Sequence, residues 1–206
     1  MMDIMGEEQA TDRYSRISGD AVLDLINTLQ WRLDPSTAQD ELTSFEEVLE
    51  WARGAGLVQS TEIARFQEMA RERPEVADVE RLRIVQVRES FYHLLFGNGE
   101  YSARMISRLY REALVGAILN FSDWRWGWVD EGLAIEVLRH RIVRAVVAFT
   151  QRDDLDHLYQ CEDERCGRVF LDFSPRRNRR WCVAKECGDR NRSRAYYSRR
   201  KALEQL

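Results

Sequence analysis

Cys161-Glu162-Asp163-Glu164-Arg165-Cys166 and, after fifteen intervening residues, Cys182-Val183-Ala184-Lys185-Glu186-Cys187 hold every cysteine of the 206-residue chain. The 160 positions before them have none. Two short pairs on tight turns, brought together by a hairpin, are what a tetrahedral all-thiolate site requires, each sulfur about 2.3 Å from a zinc ion. A spacing of four within each pair, rather than the commoner two, loosens the knuckle without excluding it. Other uses of the cysteines fit less well. Two disulfides need an oxidising compartment, and Met1 to Arg16 is acidic and polar, without the apolar stretch of a secretory signal. A redox pair needs Cys-x-x-Cys. Catalytic zinc needs an open coordination position, which four thiolates close. A four-sulfur iron site shares the geometry, and spacing alone does not separate it from zinc. The expectation is one structural Zn2+ on Cys161, Cys166, Cys182 and Cys187.

Energetics points the same way. Residues 157–206 contain few large apolar side chains, chiefly Leu158, Val169, Phe170, Leu171, Phe173, Trp181, Val183 and Leu203. So small a segment does not offset its own chain entropy. Metal binding contributes on the order of 10 kcal/mol in isolated finger peptides, so this end is expected to be disordered without zinc.

The finger is also basic. The whole chain carries a formal charge of −4, but residues 161–206 are net +6 and residues 1–160 net −10. Residues 176–201 alone hold 11 basic and 2 acidic residues. Asp189 is the expected N-cap of a final helix to about Leu203, on which Arg190, Arg194, Tyr197 and Lys201 form one stripe. Ala195, Tyr196, Ala202 and Leu203 lie largely on other faces and are free to dock the helix on the finger. Guanidinium groups with an aromatic among them suit a phosphate backbone. Candidate nucleic-acid contacts are Arg176, Arg177, Arg179, Arg180, Arg190, Arg192, Arg194 and Lys201. A basic helix that is merely solvated, or that packs on an acidic surface, is the competing reading. Arg190, Arg194 and Lys201 discriminate: burial in carboxylate pairs weakens the DNA reading, an open convex stripe strengthens it.

Working back from the finger, the rest reads as a mainly helical domain over about 15–152, joined to the finger (157–206) through the charged stretch Arg152 to Asp156. Val22 to Leu29 is compact and apolar. Ser44-Phe45-Glu46-Glu47 has the form of a capping box opening a helix that stops near Gly54 and Gly56. Ser60 is the expected cap of a helix ending before Pro74. A longer one runs from about Val76 to Phe96 and breaks at Gly97-Asn98-Gly99, and Ser102 caps another to about Val115. Ala117 to Val129 reads as a β-hairpin turning near Ser122-Asp123, with Trp124, Trp126 and Trp128 on one face. Asp130 is the expected cap of an apolar helix from Glu131 to Phe149, which places Ile135, Leu138, Ile142, Val146 and Phe149 in the core. No run of about 18 apolar residues is present, so no membrane span is expected.

Cys166-Gly167-Arg168-Val169-Phe170-Leu171-Asp172, Arg179-Arg180-Trp181-Cys182 and Cys187-Gly188-Asp189-Arg190 together resemble the CGNR zinc finger family. Asp189 stands where that name places Asn; Asp caps a helix equally well but would repel a phosphate that Asn could bond. Leu23-Asp24-Leu25-Ile26-Asn27-Thr28 is similar to the Leu-Asp-Phe-x-Asn-Thr motif of the helical ABATE domain that precedes this finger in the family. The resemblance implies a bacterial transcription regulator, with the finger on DNA and the N-terminal domain sensing an effector.

Asp24 and Asn27, three apart, share a helix face. With Trp126 they are candidates for an effector pocket, although bonding to backbone groups of a neighbouring loop is the preferred reading of the polar pair. Packing against the helices is likewise preferred for the tryptophan stripe. His93, His140 and His157 are scattered, and no catalytic constellation or phosphate-binding glycine loop stands out, so no enzyme is expected. The expected partners are DNA, a small-molecule effector and, as an open option, a second copy in a homodimer; the expected compartment is the cytoplasm. The alternative is a zinc-stabilised module whose basic helix docks on an acidic protein surface.

Overall fold

A computed structural model describes residues 14, 17–97, 99–122 and 124–203. The polar start of the chain apart from Tyr14 and Ile17 onward, the break at Asn98, the turn residue Asp123 and the outer limits (15 and 206) of the two expected domains lie outside them.

Ser44 and Glu47 form the capping box as expected: the Glu47 N–H donates to Ser44 Oγ at 3.2 Å and the Ser44 N–H to the Glu47 carboxylate at 3.1 Å. They open α2 (Phe45–Gly54), which follows α1 (Ala21–Asn27), β1 (Leu29–Gln30) and β2 (Gln39–Asp40). Next come α3 (Ser60–Glu72), α4 (Pro74–Phe96) and α5 (Gly99–Val115). The starts of these last three helices differ from expectation. Ser60 is the first helical residue of α3, and Gln59 precedes it with its N–H on the Glu62 carboxylate at 2.9 Å. The helix expected from Val76 begins at Pro74, where proline's missing N–H has no helical partner to lose. The one expected from Ser102 begins at Gly99, and Ser102 is buried on its packed face.

An antiparallel hairpin, β3 (Ala117–Ser122) and β4 (Arg125–Asp130), pairs Phe121 with Trp126 and Leu119 with Trp128. Trp124 sits in its turn with φ of 61°, not in the strand. The hairpin does not pack as expected: Trp124 is 91% exposed, Trp126 68% and Phe121 48%. Beyond it, α6 (Val137–Thr150) starts six residues later than the expected Glu131. Asp130 ends β4 and binds Arg141 at 2.7 Å and Arg144 at 2.6 Å, so its carboxylate is not a cap.

The core lies where α1, α4 and α6 meet, around Leu23, Leu25, Ile26, Ile84, Val87, Phe91, Leu138, Ile142 and Val146. Phe91 and Phe149 meet edge to face at 5.6 Å. The short hairpin β5 (Leu158–Gln160) and β6 (Val169–Leu171) belongs to this core, since Val169 and Leu171 join the same apolar cluster. The chain closes with α7 (Asp189–Leu203). Asp189 is the first helical residue rather than the cap; a wide π-helical turn over Ala184–Gly188 leads directly into it. α7 has no buried residue, so Ala195, Tyr196, Ala202 and Leu203 do not dock it on the finger. Among the described residues no helix is long and apolar enough to cross a membrane.

Candidate metal centre and nucleic-acid interface

Cys161 follows β5, and its N–H donates to the Arg168 carbonyl at 2.8 Å, closing the loop that carries Cys166. Cys182 and Cys187 bracket the turn before α7. All four side chains are buried, and their sulfurs lie within 4.8 Å of one another. Cys166 Sγ is 3.6 Å and Cys187 Sγ 3.5 Å from Cys182 Sγ. A tetrahedron with zinc–sulfur bonds of about 2.3 Å has edges of about 3.8 Å, so the sulfurs fit the ion. Four thiolates packed this closely repel one another, and a bound cation offsets that repulsion. The four cysteines hold one structural zinc.

Around the metal lies a set of contacts that the sequence does not advertise. Asp163, inside the first cysteine loop, is fully buried. It accepts from Arg190 Nε at 2.9 Å, Asn191 Nδ2 at 2.8 Å and the Arg165 N–H. Burial pushes its carboxyl up, but Arg190 and the Arg165 N–H outweigh that and hold it below the usual range. Arg190 also donates to Cys187 Sγ at 3.1 Å and lies over the Trp31 ring at 4.3 Å. It ties the metal knuckle to the root of α7 and to the N-terminal domain at once. The presence of an Asp two residues after the first Cys is the one local signal that could have suggested this.

The finger is fastened to the body elsewhere too. Asn27 donates to the Val169 carbonyl at 3.0 Å and accepts the Val169 N–H at 2.8 Å. The Arg32 N–H donates to the Cys166 carbonyl at 3.1 Å, and Arg165 binds Asp34 at 2.6 Å. Gly167, with φ of 71°, leaves no room for a side chain: a Cβ there would stand 2.9 Å from Arg32 Cβ. Asp24 accepts the Ser18 N–H at 3.3 Å and borders a cavity of about 290 Å3 with Tyr14 and Trp51. Trp126 is on the exposed hairpin and does not line that cavity.

The basic residues divide into two groups. Arg179 is turned inward, over the Phe170 ring at 4.0 Å and donating to the Trp181 carbonyl at 3.1 Å and the Ile17 carbonyl at 3.3 Å. Arg190 is turned inward as described. The others lie at the surface. Arg177 pairs with Asp156 at 3.1 Å, Arg180 with Glu162 at 2.6 Å, Arg192 with Asp189, and Arg194 with Glu164 at 3.1 Å. Arg176, Lys185, Arg199 and Lys201 are exposed. The discriminating trio is therefore split, two in carboxylate pairs and Lys201 open.

Family models match nearly the whole described chain. Residues 19–153 match ABATE, described as "Putative stress-induced transcription regulator", and residues 157–200 match the CGNR zinc finger. A search of curated proteins finds no match.

Proposed function

The chain belongs to the ABATE family and ends in a CGNR zinc finger, and on that premise we propose that it is a DNA-binding transcription regulator of the cytoplasm. The observation that carries the proposal is α7: fifteen residues, none buried, bearing Arg192, Arg194, Arg199, Arg200 and Lys201. A helix that buries nothing of its own is held for something outside the chain, and clustered guanidinium groups suit phosphate. Zinc and the Asp163–Arg190–Asn191 contacts fix its root. Arg179 and Arg190 act as positioning residues. Contact with DNA falls to the outer group, Arg176, Arg177, Arg180, Arg192, Arg194 and Lys201. The ion pairs of Arg177, Arg180, Arg192 and Arg194 face solvent, so they are weak and exchange readily for phosphate. Selection from a random duplex library by the zinc-loaded protein tests this. Enrichment of a defined site supports it, and a library that emerges unenriched contradicts it.

Docking of α7 on an acidic protein surface is the second reading, favoured by those same carboxylate pairs. The carboxylates in those pairs, Asp163 and Glu164, belong to the finger itself, and α7 meets the acidic body where Arg190 lies over Trp31.

The effector is assigned to a cavity of about 800 Å3 lined by α3–α6 and the segment before α6. Its wall is apolar at Val76, Leu133 and Ile135, and it holds buried Arg139, whose Nη1 makes no hydrogen bond and lies 3.5 Å from Glu112. Arg139 is also bonded to Glu80 at 2.8 Å, and Glu72 and Glu136 line the same wall, so the cavity suits a small ligand with an apolar body and a polar end. Such ligands should raise the melting temperature; a set of them that leaves it unchanged would contradict the assignment.

A further inference from the structure

The β3–β4 hairpin offers an apolar surface that nothing so far explains. Its ladder puts Leu119 beside Trp128 and Phe121 beside Trp126 on one face, and Trp124 extends the row at the turn, edge to face with Phe121 at 6.3 Å. These five are 52%, 44%, 48%, 68% and 91% exposed in the order named. On the opposite face Ile118 and Val129 are also half exposed. Soluble monomers rarely leave a contiguous patch of this kind open, and a two-stranded hairpin standing alone is at best marginally stable in water.

We propose that this face is a homodimer interface, in which the hairpins of two copies stack aromatic face to aromatic face. Area is the first argument. At 150–250 Å2 per large side chain and the exposures just given, the five residues expose roughly 450–750 Å2, which spans the about 600 Å2 a side at the lower end of specific interfaces. Charge is the second. The five mating residues carry none, and Asp130, at the base of the same face, is held by Arg141 and Arg144. Two copies therefore meet without a buried like-charge pair, as a two-fold interface demands. The other occupants that such a face attracts are disfavoured by the same charges. The strands offer only Arg125 as a cation, offset by Asp130, so an anionic lipid surface or a nucleic acid finds no counter-charge there. A dimer places two basic helices on one particle, but the inference stands on the hairpin alone and does not depend on the DNA reading.

Sedimentation and light scattering of the full zinc-loaded chain, without DNA, test it. The expected mass is twice the 24.3 kDa of the chain at about 100 µM, a concentration at which interfaces of micromolar affinity are populated. Phe121→Ser with Trp126→Ser should give a monomer with unchanged helix and zinc content. Trp126→Phe, which keeps the face apolar, should remain dimeric. With dilution the tryptophan emission of the wild type should move to the red as Trp124 re-enters water. A wild-type monomer at that concentration overturns the inference, as does a double variant that still dimerises or a monomer that binds vesicles through the hairpin.

Discussion

Gly167 carries two constraints at once: a left-handed φ of 71° and a backbone pressed against Arg32 and Leu33 of the N-terminal domain. Gly167→Ala meets both, because an L side chain is strained at that φ and its Cβ has a backbone-anchored neighbour at 2.9 Å. The expected loss is about 1–3 kcal/mol, with earlier proteolysis in the finger than in the helices; unchanged denaturation and proteolysis would remove Gly167 from the account. The cysteines were fully legible in the sequence, since spacing alone encodes a tetrahedral site. Arg190 was not. Its partners Trp31 and Asp163 lie far away in the chain, and a periodic stripe on a helix cannot tell a residue turned inward by a remote ring from one facing solvent.

At the scale of elements, β5–β6 shows why a composition boundary is not an energetic one. The two family matches end at 153 and begin at 157, yet Val169 and Leu171 pack in the core of α1, α4 and α6. Asn27 staples that strand in both directions, which matches the preferred reading of a polar residue bonded to neighbouring backbone. Asn27→Ala leaves a buried N–H and C=O unpaired and should cost about 2–4 kcal/mol in chemical denaturation; a loss below 0.5 would contradict the staple. Helix starts were misplaced where a capable cap residue had another use, as Asp130 does with Arg141 and Arg144. The aromatic hairpin was recognised as a hairpin, but its alternation only says that one face is apolar, not that this chain covers it.

β2 and α4 are joined by the buried Arg88, which binds Asp40 through two bonds of 2.7 Å. Burial pushes the Asp40 carboxyl up, and the Arg88 guanidinium more than offsets this, leaving it below its ordinary value of 3.8. The folded state thus binds that proton less readily than the unfolded chain. The resulting stability is present in full above about pH 3.8 and is lost as pH falls through the folded value. Asp40→Asn should flatten that acid limb in urea titrations and lower stability at neutral pH by about 1–3 kcal/mol, since Arg88 keeps Glu89 as a partner; a parallel pH profile would show that the pair is not responsible.

For the molecule as a whole, zinc links the finger to the helical body. Chelation should unfold the finger, forfeiting a contribution on the order of 10 kcal/mol, and should also lower the melting temperature of the body, because β6 leaves its core. Far-UV dichroism should show most helix retained. An unchanged body melt would mean that the two parts are energetically separate. The function rests on the basic surface that this arrangement holds out, and the most direct test is the salt dependence of duplex binding by the zinc-loaded chain, followed by fluorescence anisotropy. The account predicts affinity that falls linearly on logarithmic axes with a slope of about −0.9 per neutralised phosphate, and that disappears on chelation. Binding absent at low salt, or unmoved by salt and by zinc removal, would contradict it.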